Sequence, residues 1–383
     1  MNVTEKENEQ KIYDYVLENV KDKDLISKLS VKGSQFKPSK FTFSGACSGC
    51  GETAYIKLLT QLFGDNLVIA NATGCSSIYG ASAPVTPYEV PWASSLFEDN
   101  AEYGYGIKTA NEVIKNRILK YMMNNLSENN LYQKWIDNCD NYEITNEIYD
   151  KIKNNLPPFL EQYRDYLVSK SVWIIGGDGW AYDIGFSGID HVLASNDNVN
   201  ILVLDSQVYS NTGGQSSKAS PLGTIAAFTS SGKTNGKKDL AAISLCYKNA
   251  YVAQVSLGAN ASHLIKVLNE ASNYNGPSII LAYTPCIAHG IKGGLENSIE
   301  ISKQATNCGY YPIFHYNPLE NKFYLDSKKT DFDLYEDFLN KQTRYSMLSK
   351  VNPSKSKELL NSNKENAIKR YEYYKKLDSD NVK

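Results

Sequence analysis

The chain has 383 residues, 42% hydrophobic and 21% charged, with a formal net charge of −2. That length fills a large core, in one big α/β domain or two smaller ones. The near-balanced charge gives no electrostatic case for nucleic acid or an anionic membrane surface as a partner.

No run of about 18 apolar residues occurs, so no membrane span is expected. Met1-Asn2-Val3-Thr4-Glu5-Lys6 has no apolar signal segment. The expected compartment is therefore reducing, the cytoplasm or a reducing anaerobic organelle. There, clustered cysteines serve metal or catalysis more often than disulfides, and the chain has seven. The glycosylation-type triplets at Asn71 and Asn125 are then chance.

Residues 1–40 read as a polar extension, helical around Ile12 to Val20 and irregular afterwards. Short continuous apolar runs follow at Asn66–Ala70, Val172–Ile175, Val199–Leu204, Tyr251–Leu257 and Ser278–Tyr283. Continuous rather than alternating runs predict a parallel sheet covered on both faces. Helical stretches between them, such as His263 to Ala271, give a βαβ rhythm. Residues 107–168 break that rhythm. They predict a helical insertion of two or three amphipathic helices carrying Val113-Ile114, Ile118-Leu119 and Met122. The α/β domain is thus expected over 41–320, with a mostly helical tail over 321–383. In that tail Arg344-Tyr345 and Arg370-Tyr371 read as surface or docking features.

Ligands of such sheets gather at the carboxyl ends of the strands, and two groups of residues fall there. The first is sulfur. Cys47-Ser48-Gly49-Cys50 is a chelating pair whose intervening residues permit a turn, and Cys75 follows just after a predicted strand. A [4Fe–4S] cluster usually takes four thiolates. The fourth has to be Cys139, Cys246, Cys286 or Cys308, and spacing does not choose. Cys308 sits at a predicted helix end before Gly309. Cys286, in Pro285-Cys286-Ile287-Ala288-His289-Gly290, is the chief rival. A structural zinc site fits four cysteines equally, and a redox disulfide fits Cys47 and Cys50 alone.

The second group is Gly177-Asp178-Gly179 after one strand, and Ser206-Gln207-Val208-Tyr209-Ser210-Asn211-Thr212-Gly213-Gly214 after the next. The glycines let backbone approach a diphosphate, and Asp178 offers a hard oxygen for Mg²⁺. Ser206 adds a hydroxyl, and a helix from about Trp180 would aim its amides at the anion. The residues do not spell the dinucleotide fingerprint G-x-G-x-x-G. A P-loop at Gly232-Lys233-Thr234 fails because Ala227 stands where glycine is needed. Thr229 to Lys238 reads instead as a mobile basic surface loop. The four histidines are scattered, and only His289, close to Cys286, is singled out.

SGACSGCGETAY, NATGCSSIYG, PWASSLFEDNAEYGYG, GGDGWAYDIGFSGIDHVLAS, LDSQVYSNTGGQSSKASPLG, CIAHGIKGG and CGYYPIFHYNP together resemble the thiamine-diphosphate-binding part of pyruvate:ferredoxin oxidoreductases. The resemblance implies the thiamine-diphosphate-binding α/β fold, a parallel sheet flanked by helices. It implies a [4Fe–4S] cluster on Cys47, Cys50, Cys75 and Cys308. It implies Mg²⁺ on Asp178, the Ser206 hydroxyl and the Val208 carbonyl, with serine where the family usually has threonine. Gly74, Cys75, Phe97, Gly177, Gly179, Thr212 and Gly213 would line thiamine diphosphate, and Asn211 would face the thiazolium and substrate as the catalytic residue.

The implied reaction is oxidative decarboxylation of pyruvate to acetyl-CoA and CO₂. Coenzyme A is the acyl acceptor, and ferredoxin, flavodoxin or a fused reductase takes the electrons. The family's activating glutamate and its substrate contacts lie in an N-terminal domain, so other domains or subunits are expected partners, in a homodimer. Glu52, beside a cysteine, and Glu98, beside Phe97, are not expected to replace that glutamate. Residues 1–40 resemble an internal segment of a long polypeptide, so Met1 is expected to be an artificial start, or the chain a subunit of a split enzyme. The alternatives are a β subunit acting on another 2-oxoacid and a cofactor-binding fragment without turnover.

Overall fold

A computed structural model describes residues 3–20 and 25–380. Met1, where an artificial start is expected, lies outside them, as do 21–24 of the extension and 381–383 of the tail. One eight-stranded sheet organises the chain, in the order β2-β1-β3-β4-β6-β5-β7-β8. The strands are β1 Leu67–Ala72, β2 Trp92–Ser95, β3 Ser171–Gly177, β4 Asn200–Asp205, β5 Tyr251–Val255, β6 Ser278–Tyr283, β7 Phe314–Asn317 and β8 Lys322–Leu325. The first six in the order run parallel, while β7 and β8 add an antiparallel edge.

The apolar runs are continuous because both faces are covered. Adjacent residues point to opposite faces, and each face has its own core. Ile174, Ile201, Val203 and Leu281 pack into one cluster. Their neighbours Trp173, Ile175, Leu202 and Ile280 pack into the other.

Where an insertion is expected over 107–168, helices run from Asn100–Asn124 through shorter ones to 164–166. They carry a third core of Ile118, Met122, Trp135, Ile148 and Leu160. The tail differs from its expectation at its start, where 322–325 form a strand. They pair with β7 because Phe314 and Phe323 face the core together, with ring centroids 5.0 Å apart. The rest of the tail is helical and packs inward. Tyr345 and Tyr374 are fully buried, Tyr371 nearly so, Arg344 is 5% exposed, and the half-buried Arg370 donates inward to the Tyr310 carbonyl at 2.8 Å, so Arg344-Tyr345 and Arg370-Tyr371 are packing rather than surface features.

His263, His315 and Asp326 also converge, on the antiparallel edge. His315 Nδ1 lies 2.7 Å from Asp326 Oδ2, and the Lys266 ammonium is 3.1 Å from His315 Nε2. With that cation alongside, the cluster reads as a polar lock between the helix Ala261–Asn273 and the hairpin, not as a cation site.

Candidate functional site

Strands β1, β3, β4 and β6 lie side by side and parallel. Their carboxyl ends therefore open onto one edge, as such sheets require of a ligand site. Thr73-Gly74-Cys75, Asp178-Gly179, Ser206-Gln207-Val208 and Thr284-Pro285-Cys286 follow these four ends directly. Strand order thus gathers residues that are far apart in the chain.

Asp178 is 1% exposed and accepts from Ser206 Oγ at 2.9 Å. The Ser206 hydroxyl is also 3.2 Å from the Val208 carbonyl oxygen. The three oxygens implied as Mg²⁺ ligands are therefore neighbours. Two further hydroxyls join them. Ser217 donates to Asp178 Oδ2, and Ser210 Oγ lies 3.3 Å from Ser206 Oγ. Ser217 was not legible in the sequence; its only signal is membership of a serine-rich turn.

Around this set, Gly177 has open space where a Cβ would stand. Gly179 has a different reason to be glycine, since a Cβ there would meet the Tyr209 ring at 2.4 Å. Tyr209 in turn sits 6.0 Å, ring to ring, from Phe97. Gly213 and Gly214 take φ of +112° and +85°, which favours glycine. Asn211 and Thr212 are exposed at the tip of that turn. Gly179–Ile184 is a wide π turn, and the regular helix starts only at Phe186, later than expected.

The thiols lie alongside. The Gly51 N–H, just after Cys50, donates to the Pro285 carbonyl at 3.1 Å, which docks the Cys47–Cys50 turn onto the turn that carries Cys286. A Cβ on Gly51 would approach Pro285 to 2.7 Å, so this docking needs glycine. Cys75 begins the helix after β1, and its thiol feels Cys286, Cys50 and Cys47. Cys308 is not with them. It is 1% exposed, its thiol points to the Ala305 carbonyl at 3.6 Å, and Tyr283, Tyr311 and Tyr335 surround it. Against the expectation of Cys308 as fourth ligand, it is therefore the rival Cys286 that stands with the other three thiols. A helix end followed by glycine resembles an exposed ligand loop in sequence, but here it closes over a core.

Electrostatics mark the same place. Burial pushes the Cys50 thiol up to about 12, and nearby Glu52 adds to it. Burial likewise raises Cys75 and Cys286. Glu52 is 6% exposed and accepts from Tyr79 at 3.0 Å; burial raises it to about 7 against that bond, with Asp178 adding. Burial and the neighbouring Asp205 push Asp178 above the usual carboxylate range. Asp205 Oδ2 accepts from Lys237 at 2.7 Å and from Tyr182 at 3.0 Å, while Oδ1 has no partner. Lys237 thus points inward, as does Lys233, which donates to the Ser217 carbonyl at 3.0 Å. The segment expected to be a mobile surface loop is pinned under the site by its own lysines.

These donor sets fit the groups implied. Buried carboxylates and hydroxyls with no metal favour protonation, and a hard divalent cation removes that need. Desolvated thiols beside carboxylates remain protonated until a soft metal displaces the proton.

Residues 165–282, which include both oxygen turns, match the family described as thiamine pyrophosphate enzyme, C-terminal TPP binding domain. The fold is accordingly a thiamine-diphosphate-binding one, a mostly parallel sheet flanked by helices. Nearly the whole chain is also a homologue of pyruvate oxidoreductases. It is 47% identical over 380 residues to pyruvate:ferredoxin oxidoreductase of Moorella thermoacetica, covering 91% of this chain and 32% of that protein. It is 44% identical over 393 residues to pyruvate-flavodoxin oxidoreductase of Klebsiella pneumoniae, covering 96% and 34%. It is 42% identical over 381 residues to the mitochondrial NADP⁺ pyruvate dehydrogenase of Euglena gracilis, covering 92% and 21%. The chain spans about a third or less of the length of these relatives. Among the described residues no helix is long and apolar enough to cross a membrane.

Proposed function

We propose that this chain is the part of a pyruvate-oxidising enzyme that holds thiamine diphosphate, Mg²⁺ and a [4Fe–4S] cluster side by side. One observation carries the reading. Ser210 Oγ lies 3.3 Å from Ser206 Oγ and 3.2 Å from Cys286 Sγ, so one side chain touches both donor sets. A carbon-activating cofactor beside an electron acceptor is what oxidative decarboxylation with one-electron transfer requires.

Asp178, Ser206 and the Val208 carbonyl hold Mg²⁺ against the diphosphate, and Gly177 leaves room for it. Gly74, Cys75, Phe97, Thr212 and Gly213 line the remainder, and Asn211 faces the substrate from its exposed turn. Cys47, Cys50, Cys75 and Cys286 hold the cluster. Pyruvate, coenzyme A and a ferredoxin, flavodoxin or fused reductase are the proposed reactants, in a reducing compartment. Other domains of the enzyme supply the activating acid, and the assembly is a homodimer.

The reading is tested by pyruvate-dependent reduction of a viologen dye. The reconstituted chain combined with the remaining domains should reduce dye with CO₂ release, and Asp178→Ala should not. Fully loaded, assembled protein that leaves pyruvate untouched would overturn the proposal.

A further inference from the structure

Arg344, in the helix Thr343–Val351, is 5% exposed. Its Nε donates to Gln342 Oε1 at 2.9 Å, and its Nη2 donates to Gln207 Oε1 at 3.2 Å and the Tyr310 hydroxyl at 3.0 Å. Each of these acceptors is neutral. Nη1 is buried and has no hydrogen-bond partner, while the guanidinium lies over the Tyr345 ring, 5.1 Å from its centroid. A guanidinium stays charged in proteins, and a buried charge without an opposite charge is costly. The arrangement asks for an anion.

The surrounding contacts lead toward Cys286. Gln207 follows Ser206, whose carbonyl oxygen is 2.6 Å from His289 Nε2. The other ring nitrogen, Nδ1, accepts from the Cys286 N–H at 3.4 Å. His289 therefore carries its proton on Nε2. Burial, and then Arg344 itself, hold it neutral, so it supplies no charge. The other groups that bear on Cys286, Glu52 and Asp178, are carboxyls and supply no positive charge. Backbone geometry sets Arg344 against the same turn, since the N–H of the preceding Thr343 donates to the Gly290 carbonyl at 2.8 Å, four residues after Cys286.

We propose that Arg344 is the built-in counter-charge of the cluster held by Cys286 and its three companions, and that it sets how readily that cluster takes an electron. This rests on the cluster reading above. Reduction adds one electron and one negative charge while no bond breaks. A fixed cation in a dry setting stabilises the reduced form more than the oxidised form.

The test is a dithionite titration of the anaerobically reconstituted protein, followed by electron paramagnetic resonance. Arg344→Gln should lower the midpoint potential at unchanged iron content, and Arg344→Lys should stay close to wild type. Gln207→Glu leaves the arginine in place but gives it a carboxylate partner, so it should lower the potential as well. It carries the test if Arg344→Gln fails to load. Loaded variants with the wild-type potential would overturn the inference while leaving the cluster reading intact. So would an Arg344→Gln protein that loses only affinity for Mg²⁺ and thiamine diphosphate, since the missing anion would then be the diphosphate. Loss of iron in Arg344→Lys would reduce the residue to a packing role. Wild-type protein that takes up no iron would overturn both readings.

Discussion

The Ser206 hydroxyl meets Asp178 Oδ1 at 2.9 Å across 28 residues of chain, joining the turns after two neighbouring parallel strands. It fixes the distance between the two halves of the oxygen set. Ser217 holds the other carboxylate oxygen from a third segment. The carboxylate is thus oriented before any metal arrives.

Removing that carboxylate should matter more than removing either hydroxyl. Asp178→Ala should weaken Mg²⁺-dependent thiamine diphosphate binding by about 3 kcal/mol, the order expected for a charged ligand. Ser206→Ala should cost about 1 kcal/mol, since a neutral oxygen is lost and water can fill the place. Ser217→Ala should fall at or below the Ser206 value, because it orients the carboxylate without being a proposed ligand. Calorimetric titration checks the ranking.

The thiol assignment is tested by a pair of substitutions. Cys286→Ser should sharply reduce iron bound after anaerobic reconstitution, whereas Cys308→Ser should keep it. Cys308→Ser should instead show as lost stability, since a hydroxyl replaces a thiol in an aromatic pocket. Iron and sulfide analysis with a urea melt reads both effects. Full iron in Cys286→Ser would return the fourth position to another cysteine.

The parallel core was legible because strands buried on both faces are apolar throughout, as at Val199–Leu204. Trp92–Ser95 was missed because it is a four-residue edge strand with only partial burial. The hairpin Phe314–Leu325 alternates in the antiparallel manner inside a stretch rich in tyrosine, and periodicity over four residues is weak. Asp178 and Ser206 could be read because each follows a strand end, whereas Val208 came only with the family resemblance. Cys286 could not be chosen over Cys308, since the deciding fact is the backbone bond from Gly51 to Pro285 between distant segments. Arg344 looked like a surface residue because a polar tail gives no local sign that its first helices fold under the sheet's edge.

A pH dependence follows from Asp326. Burial alone would raise its carboxyl, but His263 and His315 hold it below the ordinary range. A depressed folded value stabilises the fold above the unfolded value of about 3.9 and ceases to do so as pH falls through the folded one. Asp326→Asn should therefore cost about 2 kcal/mol near neutral pH. The gap to wild type should close as pH drops below about 4. Denaturant midpoints measured across pH 3 to 7 check this; a gap that stays constant would remove the carboxylate from the account.

The insertion packs on its own core, so damage there should stay local. Trp135 is 1% exposed and donates its indole N–H to the Leu167 carbonyl at 2.7 Å. Trp135→Ala should cost about 3–5 kcal/mol, a typical price for a large core truncation. Binding of thiamine diphosphate at 20 °C should persist in whatever fraction remains folded. Circular dichroism melts and calorimetry on the same sample separate the two outcomes.

The central claim is that one chain holds both cofactor sets at the ends of β1, β3, β4 and β6. It is tested most directly by a single preparation, reconstituted anaerobically with iron, sulfide, Mg²⁺ and thiamine diphosphate, then desalted and analysed. The account predicts about four irons, about four sulfides and one thiamine diphosphate per chain, with the thiamine diphosphate released by a chelator of Mg²⁺. Iron without thiamine diphosphate, thiamine diphosphate without iron, or zinc in place of the cluster would contradict it.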